Sequence, residues 1–337
     1  MRAVRGSARA AMCLLALLLL SRTVDGYLKI GTQVSSGSLV TVRWNSFPIR
    51  YYVTNRDVPG VSAPQLQRAV DRAFHTWQAV PNVGLSSQFA GFTGLMPSGA
   101  GNANVIGFED HPELDRVLGA TSFTLDTVTG EIVDSDIFLN STFSWSVADA
   151  GEAGREDVES IVAHELGHLH GLGHSALGET ELLAGGGRQV LDEASIMFPI
   201  AFNAGSVHRA LYPDDVNGLS DIYGGDAVHS STGSITGRVT KNGSGVLGAH
   251  VVAVNSATGV TIAGFSQAAD GSFTVGGLEP GTYFLRAEPL DDADPGSFLS
   301  SSLNIDLDFM PAFLDRPVTV AGGSTASGIE LKVVPKS

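Results

Sequence analysis

Five residue identities within eleven positions constrain this chain more than any other stretch. His164, Glu165, His168, Gly171 and His174 stand in VAHELGHLHGLGHS at the spacing H-E-x-x-H-x-x-G-x-x-H. On a helix, His164 and His168 are about 40° apart around the axis and about 6 Å apart along it, so both imidazoles face one point. Glu165, one position along, sets its carboxylate beside that point, where it holds a water instead of acting as a third ligand. A continued helix would carry His174 away. Gly171 resolves this, because glycine takes the left-handed conformation that ends a helix and lets the chain turn back. Three neutral nitrogen donors leave the fourth position of a tetrahedral zinc open, the arrangement of a catalytic site and not of a closed structural one. His170, inside the same stretch, is predicted to face away from that point.

Downstream lies Ser195-Ile196-Met197-Phe198-Pro199. The histidine motif and this segment together resemble the metzincin zinc peptidases, whose Met-turn methionine forms an apolar floor under three histidines. Ser175 directly after the third histidine, and the wording Met-Phe-Pro, resemble the matrixin group, the relatives of the matrix metalloproteinases. An astacin-like enzyme would carry Glu after the third histidine and Tyr two positions beyond the methionine, where Pro199 stands. The resemblance implies an α+β metzincin catalytic domain, a twisted five-stranded mixed sheet with helices, in which one antiparallel strand forms the upper lip of the substrate cleft. It also implies catalytic Zn2+ held by His164, His168 and His174, with Glu165 as general base toward a zinc-bound water. Animal matrixins add a structural zinc held by histidines. Only His111 lies between residues 76 and 163, so that second site is expected to be missing.

The chain has 337 residues, enough for about two domains. Arg2, Arg5 and Arg9 precede an apolar run from Ala10 to Leu20, which is too short for the roughly 20 residues of a membrane span. This reads as a signal peptide over residues 1–26, with a secreted, extracellular or periplasmic protein after cleavage and no membrane span in the mature form. The only cysteine, Cys13, falls within it, so the mature chain uses no disulfides and lacks the propeptide cysteine that occupies the zinc in animal relatives. Beyond residue 26 the chain carries 16 basic and 34 acidic residues, against a net charge of −15 for the whole sequence. That balance argues against nucleic acid or an anionic membrane surface as partner.

Leu39–Thr54 contains two strand-like runs separated at Asn45-Ser46. A helix then begins at a capping box of Ser62 and Gln65 with Pro64 in its first turn, and Leu66, Val70, Ala73, Phe74, Trp77 and Val80 form its apolar stripe. His75 is expected as a surface or capping residue and not as a ligand. The glycine-rich segment 91–104 reads as a loop. Strands are expected at 104–108, 119–125 and 132–140, with Gly119–Thr124 as the edge strand. Such an edge binds an extended peptide as an added strand, which favours an endopeptidase acting on protein or peptide substrates. Asp134 and Asp136 point to one face of their strand, where they suit either Ca2+ or a hydrogen-bonded structural role. The motif helix is expected to begin near Arg155. The 22 residues between His174 and Met197, with Gly185-Gly186-Gly187, read as a flexible loop near the cleft. Residues 201–211 should border a substrate pocket, with His208 at the surface. Asn140-Ser141-Thr142 and Asn242-Gly243-Ser244 match glycosylation sequons.

Pro213–Gly224 resembles the closing helix of matrixin domains, so the catalytic domain is expected to span residues 27–225, followed by a polar linker at 226–233. From Ser234 short alternating runs are punctuated by Asn-Gly, Asp-Gly and Pro-Gly, the pattern of an all-β sandwich over 234–337. Gly248-Ala249-His250-Val251, Asp270-Gly271-Ser272-Phe273 and Leu278 to Tyr283 resemble the carboxypeptidase regulatory-like, transthyretin-like module, with His250 structural. The reading is a secreted zinc metalloendopeptidase. A non-catalytic binding protein is the competing one, and the intact Glu165 counts against it.

Overall fold

The computed structural model describes residues 29–99, 101, 103–184, 188–290, 295–299 and 303–336. The expected signal peptide and Gly185–Gly187 lie outside these residues. A short antiparallel hairpin, β1 (Gly31–Gln33) and β2 (Leu39–Thr41), leads into β3 (Ile49–Thr54), where Ile49, Tyr51 and Val53 are buried and Arg50 is exposed. Helix α1 (Ala63–Gln78) starts at Ser62, whose N–H donates to Gln65 Oε1 at 2.9 Å. Its stripe is buried as the 3.6-residue period requires, and His75 is exposed.

Four further strands, β4 (Ser87–Thr93), β5 (Asn104–Glu109), β6 (Gly119–Leu125) and β7 (Ile132–Asn140), complete a five-stranded sheet of order β4-β3-β5-β7-β6. All pairings are parallel except β6 with β7, so β6 is an antiparallel edge strand, as expected. Strand β4 occupies part of the segment expected to be a loop. Its residues show no clean alternation of burial, Gly91 sits at φ +129°, and a register shift faces it, so its period is blurred. Asp134 and Asp136 are both buried, and Asp136 accepts the Val105 N–H at 2.8 Å, which ties β7 to β5. Asn140 is no sugar acceptor in this fold: it is 0 % exposed and its amide donates to the carbonyls of His111, Leu114 and Val117.

The motif helix, α2 (Val158–Leu169), begins three residues later than expected. Glu156–Asp157 (β9) is extended and pairs with Trp145–Ser146 (β8), and Asp157 caps the helix by accepting the Ser160 N–H at 2.9 Å. Arg209 grips the same carboxylate with two N–H groups, at 2.9 and 2.6 Å. Helices α1 and α2 pack together over the sheet, and Trp77 donates its indole N–H to Ala163 O at 2.8 Å.

The expected flexible loop between His174 and Met197 is largely an antiparallel hairpin, β10 (Gly178–Leu182) and β11 (Arg188–Glu193). Its strands, GETEL and RQVLDE, are mostly polar, so hydrophobic alternation does not reveal them. Helix α3 (Pro213–Tyr223) follows, and the polar stretch expected as a linker holds a six-residue helix, α4 (Asp226–Ser231), with no buried residue.

The remaining strands are β12 (Gly233–Lys241), β13 (Ser244–Gly245), β14 (His250–Asn255), β15 (Thr261–Phe265), β16 (Ser272–Leu278), β17 (Gly281–Glu288), β18 (Ala312–Phe313), β19 (Val318–Val320) and β20 (Thr325–Val333). Strand β12 lies between β16 and a parallel β20, with β13 on its end; β14 lies between β15 and β17, which carries β18 and β19. The two sheets enclose a core of their own, distinct from the core around α1 and α2. His250 is buried outside that core, on the other face of β14 from Val251, paired with Glu288 at 2.9 Å and set against Phe265.

Candidate metal centre and peptide cleft

Helix α2 presents His164 and His168 side by side, and the chain beyond it delivers His174 to the same place. Gly171 makes the turn at φ +94°, and a Cβ there would stand 2.4 Å from Val42 O, so both conformation and space demand glycine. The three rings lie 4.7 to 5.3 Å apart by centroid, and one ligand atom from each falls within 4.8 Å of the others. Among the described residues this is the single cluster of at least three such side chains.

Each ring is fixed by a backbone carbonyl. His164 Nδ1 donates to Ile196 O at 2.7 Å, His168 Nδ1 to Leu172 O at 2.8 Å, and His174 Nδ1 to Ser297 O at 2.5 Å. A carbonyl only accepts, so each Nδ1 carries the proton and each Nε2 carries a lone pair. The Nε2 atoms of His168 and His174 then face each other 3.2 Å apart with no proton between them. Two lone pairs at that distance repel unless a cation sits between, and the span is close to the roughly 3.3 Å between two nitrogens on a tetrahedral zinc. Burial pushes His164 down to about 3 and His168 well below the usual imidazole range, with nearby histidines adding to both, and burial also lowers His174. Neutral imidazoles are what a metal needs. The donor set fits zinc.

Glu165 is 4 % exposed, and burial raises its carboxyl to about 7. Thr121 on β6 opposes that rise by donating its hydroxyl to Glu165 Oε2 at 2.7 Å. The edge strand is close: a methyl group built on Gly119 would stand 3.2 Å from Glu165 Oε1. Thr121 escapes a reading of the sequence because nothing in a strand's threonine marks its hydroxyl as aimed at a helix.

Met197 is buried against α2, and a Cβ added to Gly167 would fall 2.2 Å from its sulfur. The turn that carries it is held by Asp215 on α3, which accepts the Ser195 hydroxyl and the N–H groups of Ile196 (2.9 Å), Met197 (3.3 Å) and Tyr212 (2.8 Å). Its neighbour Asp214 accepts Ser175 Oγ at 2.7 Å and the Ala263 N–H at 3.0 Å. The paired aspartates are visible in the sequence, but their partners are not.

Two other histidines named from the sequence stand apart from the cluster. His170 turns away from the cluster as expected, buried among Phe74, Trp77 and Tyr223. His208 is not a simple surface residue: it stacks on Phe202 at 3.9 Å with planes 2° apart, and its Nδ1 is 2.8 Å from Glu193 Oε1.

Comparison with known proteins agrees with this geometry. The matrixin family's profile matches residues 43–185. Metalloendoproteinase 5-MMP of Arabidopsis thaliana is 26% identical over 237 residues, 64% of this chain and 58% of that protein. Metalloendoproteinase 2-MMP of Arabidopsis thaliana is 29% identical over 184 residues, 50% of this chain and 40% of its own length. Interstitial collagenase of Oryctolagus cuniculus is 23% identical over 182 residues, 54% of this chain and 33% of that protein. The chain thus spans less than two thirds of each of these relatives. No helix among the described residues is long and apolar enough to cross a membrane. The match and the relatives' names support a zinc metalloendopeptidase, and residues 43–185 are similar to a matrixin domain.

Proposed function

We propose that this chain is a secreted zinc-dependent endopeptidase that hydrolyses internal peptide bonds of proteins. His164, His168 and His174 hold the metal, and a bound zinc supplies Lewis acidity to the scissile carbonyl and to the attacking water. Glu165 accepts the proton from that water and passes it to the leaving amine. Thr121 fixes the carboxylate that does so. The domain organisation that accompanies this reading is a peptidase domain over 27–225, a connection at 226–233 and a β-sandwich over 234–337.

The observation that carries the reading is the contact between the edge strand and the base. Strand β6 pairs only with β7 in its sheet, so its outer edge offers backbone donors and acceptors to an extended peptide. A peptide added there runs past Glu165 and the histidine cluster. Chain interiors fit such an edge on both sides of the cut bond, which favours internal cleavage.

The test is a quenched fluorogenic peptide assay on the full chain with the Glu165→Gln variant. The wild-type chain should lose activity to a chelator and regain it with zinc. The variant should bind zinc yet hydrolyse at least about 100-fold more slowly, the lower end of what a positioned base contributes. Near wild-type cleavage by the variant refutes the role of Glu165. Chelator-insensitive inactivity of a zinc-loaded wild-type chain would favour a binding protein instead.

A further inference from the structure

The three histidines are not held by the same part of the molecule. His168 is fixed by the carbonyl of Leu172 within the motif and His164 by that of Ile196 in the Met197 turn, both before the sandwich begins. His174 is fixed by Ser297, 123 positions downstream, in a short helical turn (Pro295–Ser297) between β17 and β18 of the sandwich. His174 also sits beyond the end of α2, on a glycine turn, where the helix does not set its direction. Of the three rings it depends most on its partner.

Independent contacts seat that turn. The ring of Phe298 stands edge-on to His174 at 6.3 Å and packs at 5.9 Å from Phe265 of β15. Phe298 is 1 % exposed and belongs to one buried cluster that joins Phe265 and Leu290 of the sandwich to Ala176 and Phe198 beside the metal centre. The next residue in the chain repeats the pattern: Ser175 donates to Asp214, whose other oxygen takes the Ala263 N–H of β15. Residues 174 to 176 are therefore all anchored, directly or through one aspartate, on the sandwich.

We propose that the C-terminal sandwich completes the metal centre: the Ser297 carbonyl and the Phe298 ring orient His174, so zinc affinity resides in both halves of the chain. This rests on the reading of His164, His168 and His174 as zinc ligands. A ligand imidazole needs its other nitrogen satisfied to keep its tautomer and direction, and loss of such a partner costs about 10 to 100-fold in metal affinity. Ser297 and Phe298 are positioning residues in this sense, acting through His174.

The experiment uses the full chain as wild type, Phe298→Ala, Phe298→Leu and Asn217→Ala. Asn217 donates to Gly276 O at 2.9 Å and so links α3 to the sandwich without touching His174. Zinc affinity is measured in chelator-buffered solutions, and the visible spectrum of the cobalt(II)-loaded chains reports the ligand geometry. Thermal unfolding of the zinc-free chains confirms folding. Phe298→Ala should weaken zinc about 10 to 100-fold and shift the cobalt bands, with Phe298→Leu intermediate and Asn217→Ala within about twofold of wild type. A folded Phe298→Ala chain with wild-type zinc affinity overturns the proposal. If that variant does not fold, wild-type affinity and spectrum in Phe298→Leu overturn it equally. A wild-type chain that binds no zinc overturns the ligand assignment itself, a different failure from a wild-type chain that binds zinc regardless of residue 298.

Discussion

Replacing Thr121 by Val removes one hydroxyl and changes little else, since both residues are β-branched and suit a strand. That hydroxyl has one proton and two acceptors in reach, Glu165 O at 3.0 Å and Glu165 Oε2 at 2.7 Å. The charged oxygen is nearer and takes it. A hydrogen bond to a buried carboxylate is worth about 1.5 to 3 kcal/mol, equivalent to about one to two pH units. Burial already holds Glu165 at about 7, and the hydroxyl is the group that lowers it. Without it the carboxyl moves up, and hydrolysis requires the ionised form. The zinc charge acts on both chains alike, so the difference between them is the quantity to read. The acidic limb of the kcat/KM against pH profile should move up by about one to two units. On that limb the variant should lose kcat/KM and recover toward wild type as pH rises, while Thr121→Ser retains the wild-type profile. A Thr121→Val profile that superimposes on wild type, with zinc bound, would refute the argument that this hydroxyl sets the state of the base.

Other perturbations have equally definite outcomes. Gly171→Ala places a Cβ 2.4 Å from Val42 O at a backbone φ of +94°, and should lower both zinc content and the unfolding temperature, the latter by about 4 °C or more, in elemental analysis and calorimetry. Asp215→Ala strips an acceptor from the Ser195 hydroxyl, from the Ile196 and Met197 N–H groups of the Met197 turn and from the Tyr212 N–H at the start of α3. Met197 N–H keeps Ser195 Oγ at 3.1 Å, so at about 1 to 3 kcal/mol for each of the two buried groups left unsatisfied, the Ser195 hydroxyl and the Ile196 N–H, a urea titration should show a loss of at least about 2 kcal/mol. Burial raises Asp214 from 3.8 to about 7, so its contribution to stability is complete below the unfolded value and lost as pH rises through the folded one. Asp214→Asn abolishes that titration, and its unfolding temperature should fall less than wild type between pH 4 and pH 7.5.

What could be read in the sequence was whatever identity and period encode locally. The histidine motif fixes α2 and the turn at Gly171 because ligand spacing and helical pitch are one geometry. The stripe from Leu66 to Trp77 reveals α1, whereas the edge position of strand β6, which the sheet order bears out, comes from the matrixin resemblance and not from local identity or period. Strand β4 was hidden by Gly91 and a bulge, and the β10–β11 hairpin by polar strands in which Val190 packs toward the sandwich while Leu182 and Leu191 are exposed. The partners of Thr121, Asp214 and His174 lie 44, 49 and 123 residues away. Contacts of that range leave no periodic trace. A carbonyl partner leaves none at all, because every residue has one.

That last point bears on how the protein tolerates change. All three imidazoles lean on main-chain oxygens of Leu172, Ile196 and Ser297, not on side chains. A saturation screen for loss of zinc should therefore find residue 297 nearly silent and residue 298 sensitive. The chemistry is written at one place in the gene, and its vulnerability shows at the next.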